Sequence, residues 1–444
     1  MSRIPFRILS LLLAGGLCSS ATAFAWQSPT ARKPFDFEAI STPTSDDELV
    51  LQDKAPAKPT ETTKPPAKPA APAKPVPRPA TPPQPLRPEP QFNPFVNPQP
   101  NQPYLARLSR APDMFGDSFI PLSATIQGAG SSTAPKTSVL DLPLAGGSRR
   151  FKNEHSRAMP TDRVFGTYHH FQNALESNAL TPGFRSTDAN VDRFTLGFEK
   201  TFAEGNASIE LRLPLSVPTS LTSSDSMYRT DTVGDLVVTL KGLLYSDESQ
   251  AVALGLAINT PTGSGLDVSL PNTGAGGTNF TLDNNAVHLI PFVAYQAAPT
   301  EDFFFNGFLQ FDTPTNANSA QVRNPGAGTI DNLKINDQTL LYLDTSFGYW
   351  LFRDPDAEYL TGLAGLLELH YTTAINGPDV VADRNKIVTF GANSGRYDAL
   401  NLTIALHTEI ARNTTIRAGY VTPLRDGNHR FFDSEFTVAI VFRR

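Results

Sequence analysis

In the segment Ile209-Glu210-Leu211-Arg212-Leu213-Pro214-Leu215 every second residue is a large aliphatic one, with a carboxylate and a guanidinium between them. Successive side chains of a strand point to opposite faces, so a strand here has one apolar and one polar face. The pattern recurs. Phe194, Leu196 and Phe198 alternate with Arg193, Thr195 and Glu199; Leu236, Val238 and Leu240 with Asp235, Thr239 and Lys241. Phe303, Phe305, Leu309 and Phe311 alternate with Asn306, Gln310 and Asp312, and Leu343, Phe347 and Tyr349 with Asp344 and Ser346. Leu367, Leu369 and Tyr371 take Glu368 and His370 between them; Leu402, Ile404 and Leu406 run into His407 and Glu409. Ile416 and Ala418 flank Arg417, and Phe436, Val438 and Ile440 follow Glu435.

Counted from the segment at Arg163, there are twelve such strands. Their connections alternate in length: short near 203–206, 246–249, 298–300, 353–356 and 411–413, long near 175–190, 217–231, 261–284, 313–337, 374–396 and 422–433. Bacterial outer-membrane barrels join their strands by short periplasmic turns and long external loops. The expected fold is therefore all-β: a transmembrane up-and-down antiparallel β-barrel of about 12 strands over residues 161–444. An even strand count places both barrel ends on the periplasmic side. A soluble β-sandwich would also alternate, with its apolar face inward. Against it stand the strand-long rows of charge, the alternation of loop lengths, and the aromatic-bearing last strand, Phe436 to Phe442.

The rest of the chain is organised differently. Residues 1–25 carry the parts of a cleaved signal peptide: Arg3 and Arg7, an apolar core over 8–17, and Ala23-Phe24-Ala25. Cys18 is the chain's one cysteine and would leave with that signal; Leu17 before it is poorly suited to lipoprotein processing. Residues 26–103 are expected to be a disordered, periplasmic Pro/Ala/Lys-rich linker, since about half of the chain's 39 prolines fall between 56 and 103. Proline lacks a donor and fixes φ, so the stretch joins neither sheet nor helix. Residues 104–160 read as an irregular segment that either plugs the barrel from inside or lies outside it as disordered chain.

The net charge of −6 and pI near 5.7 exclude the basic face that nucleic-acid binding needs. A mean hydropathy of −0.23 does not exclude the membrane, because only alternate residues of a barrel face lipid.

The run Gly234-Asp235-Leu236-Val237-Val238-Thr239-Leu240-Lys241, the strand Ala253-Leu254-Gly255-Leu256-Ala257-Ile258 and the following Pro261-Thr262-Gly263 resemble a known family. They are similar to the outer-membrane barrels of the phenol meta-cleavage (MetA) pathway family, as is the final hairpin from Gly419-Tyr420 through Pro423-Leu424. The resemblance covers about residues 163–444. It implies a barrel that passes small, often aromatic or apolar, molecules, and it brings no catalytic residues.

Twelve ionisable residues share the inner phase as lumen-lining candidates: Arg193, Glu210, Arg212, Asp235, Lys241, Asp344, Glu368, His370, His407, Glu409, Arg417 and Glu435. They either line a path and select solutes by local field, or pair across a small barrel and fill it; paired filling around a narrow path is favoured. His370 and His407, with Glu368 and Glu409 nearby, lack tight ligand spacing, so no metal is expected. His169-His170 is followed by Phe171-Gln172-Asn173, not a hydrolase motif, and no enzyme is expected. The glycines of the 262–284 loop precede no Gly-Lys-Ser/Thr, so no cofactor is expected; the loop reads as a flexible external flap.

The leading expectation is passive diffusion of small, in part hydrophobic or aromatic, solutes through an outer-membrane channel. Its partners would be membrane lipid, the solute and the outer-membrane barrel assembly machinery, with no nucleic acid. The alternative is a structural anchor tied to the cell wall through the Pro-rich segment. An open or gated bore favours transport; a lumen packed solid favours the anchor.

Overall fold

The computed structural model describes residues 105–116, 121–128, 136–143, 156–179, 187–216, 220–222, 227–229, 233–270, 273, 276–391, 395–410 and 413–443. The expected signal peptide and the Pro-rich linker lie outside these residues.

Twelve antiparallel strands form the barrel: β1 Arg163–Ala179, β2 Thr187–Phe202, β3 Ala207–Ser216, β4 Val237–Ser246, β5 Gln250–Asn259, β6 His288–Ala297, β7 Phe303–Pro314, β8 Leu340–Arg353, β9 Leu360–Ala374, β10 Asp398–Ile410, β11 Thr414–Pro423 and β12 Ser434–Arg443. Each pairs with the next, and β12 returns to β1 with Arg443 opposite Arg163 and Ser434 opposite Gln172. The ladder has no edge, which a sandwich would keep. Both barrel ends sit at the short-turn rim.

The wall is inside out relative to a soluble protein. Leu196, Leu240, Leu309, Leu343, Tyr349, Ile404, Leu406 and Tyr420 are exposed on its outer face, whereas Arg193, Asp344, Glu368, Arg417 and Glu435 are buried. A belt of this kind is stable only against hydrocarbon, where a closed barrel also satisfies every backbone group. Three inward phenylalanines each stand over a glycine directly across the ladder: Phe165 over Gly197, Phe292 over Gly255 and Phe304 over Gly348. A Cβ on those glycines would meet the rings at 2.0–2.1 Å, so the missing side chain is what lets each ring lie flat.

Among the described residues the long connections carry strands of their own. Those after β3, β5 and β7 contribute Ser220–Thr222, Met227–Arg229, Leu266–Leu270, Thr278–Asp283, Asn318–Asn324 and Thr329–Ile335 to a second, six-stranded sheet. The 262–284 segment, expected as a flexible flap, supplies two of these strands. Alternation there was readable (Leu266, Val268 and Leu270 are buried), but the glycines around it drew the reading towards a loop. The first connection is also shorter than its sequence suggests. β1 and β2 run on past a bulge at Asn173, whose φ of 50° is left-handed.

Residues 104–160, read as having few strand signals, contain a hairpin, Pro121–Gly128 with Lys136–Pro143. One side of it pairs with Val388–Phe390 of the loop after β9, the other with the far end of β1. Hairpin, six-stranded sheet and strand ends share one apolar core at the long-loop mouth, containing Ala124, Ile126, Leu140, Phe171, Val268, Phe280, Val322, Phe390 and Phe432. Fully burying a side chain of this size contributes roughly 1.5–3 kcal/mol.

Candidate functional site

The short-turn half of the bore is occupied by the chain's own N-terminal segment. A helix, α1 Leu105–Arg110, leads into an extended stretch to Gly116; the chain re-enters at 156–160 and runs directly into β1. The two passes join each other where Met114 N donates to the Ser156 carbonyl at 2.9 Å. Leu108, Ala111, Phe115 and Met159 pack on the inward Phe304, Trp350, Ala364, Leu366 and Ala405. Wall side chains satisfy the segment's backbone: Gln296 Nε2 donates to the Leu108 carbonyl at 2.6 Å, and Asn306 Nδ2 to that of Pro112 at 3.0 Å.

Asp113 is the electrostatic centre of this half. Fully buried, its Oδ2 accepts from Arg163 Nη1 at 2.9 Å and from Arg443 Nη2 at 3.1 Å; Arg157 Nη1 lies 3.4 Å from Oδ1. The network spreads along the wall. Arg163 also grips Glu199 and Glu210 at 2.7 Å each, Glu210 holds Arg212, and Lys241 Nζ lies 2.8 Å from Glu199. Lys241 reaches the segment too, donating to the Arg157 carbonyl at 3.1 Å. Burial of such charges is tolerable only because each is paired and hydrogen-bonded.

Two residues on, Phe115 is held on three sides. Its N–H donates to both Glu368 oxygens at 3.0 Å, and Gly116 N to one of them at 3.2 Å. The Arg417 guanidinium lies 4.0 Å from its ring centroid and also donates to the Asp113 carbonyl. The ring's edge rests on Gly419, where an added Cβ would meet it at 3.1 Å. Glu368 is itself oriented by His370 Nε2 at 3.1 Å, and His370 Nδ1 lies 3.1 Å from Asp344.

The twelve inner-phase candidates thus fall into groups. Arg417 donates to the Asp113 carbonyl, and Glu210, Arg212 and Lys241 join the same network through Arg163, Glu199 and the Arg157 carbonyl; Asp344, His370 and Glu368 hold Phe115. Arg193 lies over the Phe171 ring, and Glu435 bonds His169 Nδ1 at 2.6 Å. His407 and Glu409 sit apart, His407 edge-on to Trp350. His370 is opposite Asn401 and His407 opposite Ala364, so the two histidines do not converge; among the described residues no cluster of metal-capable side chains forms.

Asp235 lies at the other rim, before β4. Its carboxylate accepts from Gly263 N at 2.9 Å, Asn284 Nδ2 at 2.6 Å and Asn259 Nδ2 at 3.3 Å, which ties the β5–β6 connection to the wall. Burial pushes this carboxyl up to about 6, against the pull of those hydrogen bonds.

Sequence reasoning missed Asp113 and Arg157, which lie in no repeating pattern. Arg163 and Glu199 were within reach, because both share the inner phase of their strands.

These features define a membrane-spanning β-barrel whose bore is occupied by its own N-terminal segment. No protein-family model matches the chain, and no curated protein matches it either. The likeness of the Gly234–Lys241 run to the phenol meta-cleavage family therefore stands as a resemblance. Among solved structures the chain is similar to the translocator domain of autotransporter NalP from Neisseria meningitidis, at 10% identity and a TM-score of 0.42 over 64% of this chain and 88% of that one. It is similar to an outer membrane channel from Pseudomonas putida F1, at 11% and 0.39, over 64% and 97%. It is also similar to the monoaromatic hydrocarbon channel CymD, at 9% and 0.34, over 74% and 88%.

Proposed function

We propose that this protein is an outer-membrane channel, closed in the state described, that passes small solutes by diffusion when the N-terminal segment gives way. The observation that supports this reading is what fills the bore. A lumen packed by its own wall would favour an anchor, but here the occupant is a separable stretch of chain seated on polar wall groups. Without it, the inner face is a row of charged and amide side chains of the kind that conducts water-soluble solutes. Passage of aromatic or apolar solutes is what the family resemblance adds. The short turns would face the periplasm, where the exported chain begins, and the apolar belt would face outer-membrane lipid.

Liposome swelling and planar-bilayer conductance test this, comparing the full chain with a variant lacking residues 105–116, which keeps the Pro121–Gly128 and Lys136–Pro143 hairpin in place. The full chain should be nearly silent and the deletion should conduct and admit small sugars and amino acids. A correctly folded deletion barrel that stays sealed would overturn the reading.

A further inference from the structure

Asp113 and Phe115 occupy their seats in the manner of a ligand. The Asp113 carboxylate is fully buried and is shared by Arg163 and Arg443 of the wall and by Arg157 of the returning pass. The Phe115 ring lies 4.0 Å from the Arg417 guanidinium carbon, in a cradle floored by Gly419 and Ala405 that any Cβ at 419 would crowd. Arg417 joins the two seats, since it faces the ring and also donates to the Asp113 carbonyl. Arginine suits both tasks: its planar fork matches a carboxylate and its face stacks on an aromatic ring.

Two arginines of the wall, Arg163 and Arg443, converge on a carboxylate that the segment supplies. With the segment withdrawn, Asp113 and Arg157 leave together. That pair carries no net charge, so what the wall loses is not charge balance but the one carboxylate that bridges Arg163 and Arg443, beside the ring that faces Arg417. Arg163 would keep Glu199 and Glu210, but the carboxylate it shares with Arg443 would be gone, a costly change in a partly desolvated bore.

We propose that the seat of Asp113 and Phe115 is a binding site for small aromatic carboxylates, and that these two residues act as a tethered surrogate for such a solute. This deepens the channel reading and rests on it: a free aromatic carboxylate competes with Asp113 for Arg163 and Arg443 and, by taking its place, releases the segment. The solute thereby selects itself by charge and ring, and the bore is closed when no such solute is present.

Equilibrium binding of radiolabelled benzoate to the detergent-purified full chain tests the site. The wild-type chain should bind it weakly, because its own carboxylate holds the seat. Asp113→Ala should bind about tenfold tighter, since the apparent affinity scales with the fraction of vacant seats. Adding Arg163→Gln to Asp113→Ala should abolish the gain. Benzamide, with the same ring and no charge, should bind to neither form. Equal binding of benzamide, equal binding of inorganic phosphate, or no difference between wild type and Asp113→Ala would each overturn the proposal. If Asp113→Ala fails to fold, Asp113→Asn replaces it, and benzoate-dependent proteolysis within residues 105–116 of the wild-type chain decides the matter. Absence of that added cleavage overturns the site. Failure of the channel reading shows separately: a sealed deletion barrel with a chain that still binds benzoate leaves a carboxylate site in a protein that does not conduct.

Discussion

The two ends of this barrel are held by different chemistry. At the long-loop mouth, sheet packs on sheet through an apolar core of soluble-protein type, with Phe280 set edge-on to Phe390 at 5.3 Å. At the short-turn end a single segment, 105–116 with 156–160, is seated on the wall by buried ion pairs and by hydrogen bonds to its backbone. An apolar core is non-directional and tolerates small shifts. A buried ion network has one good geometry and becomes costly when one partner leaves. The first suits a framework that keeps its shape, the second a part that releases as a unit.

Substitutions can test that contrast. The largest effect is expected from Asp113→Ala, which removes the carboxylate shared by Arg163 and Arg443 and should loosen the segment by about 3–5 kcal/mol. Limited proteolysis should then cut within residues 105–116 while the six-stranded sheet stays protected; equal loss of protection at both ends would erase the distinction. Phe280→Ala is the converse. Removing a buried ring costs about 3–5 kcal/mol, less where the site collapses around it. Cleavage should appear in the 260–287 connection with the segment still seated.

The next effect is a pH dependence confined to the long-loop rim. Asp235 has a native pKa near 6 against an ordinary 3.8, so the folded state binds its proton more tightly than the unfolded one. Its contribution is fully present below about 3.8 and is lost as the pH climbs through about 6, on the order of 2–3 kcal/mol in all. The 260–287 connection should be cut faster at pH 7.5 than at pH 5, allowing for the protease's own profile. Asp235→Asn should flatten that difference. A persistent slope in that variant would assign it elsewhere. Smallest is Gly348→Ala: the new methyl meets the Phe304 ring and should cost about 1–3 kcal/mol by overpacking, read as a lower unfolding midpoint. Because Phe304 also packs in the apolar cluster that contains Phe115, a wider loss of segment protection there would show that wall and segment are coupled.

How far the sequence could be read depended on repetition. The wall was legible because alternation is enforced at every position of a strand with lipid on one side; Leu211, Arg212 and Leu213 can face only one way each. Strand charges such as Arg212, Glu368 and Arg417 were expected to point inward by the same rule, and they are buried. The segment was not legible. Asp113 and Phe115 matter through Arg163, Arg443, Glu368 and Arg417, which lie from 50 to more than 300 residues away, and no local pattern marks such partners. The extra strands were missed because three- to seven-residue pieces among glycines carry too few alternations to stand out.

Alternation and loop spacing therefore determined by themselves that this chain makes a closed twelve-stranded barrel, with apolar side chains outward and charges inward. The period-2 geometry of a strand and the demand of hydrocarbon leave no other arrangement. Whether the bore is open or filled, and by what, was decided only in three dimensions. That outcome depends on where one aspartate and one phenylalanine come to rest among arginines brought together from three strands, and only the closed ladder brings those strands to the same level.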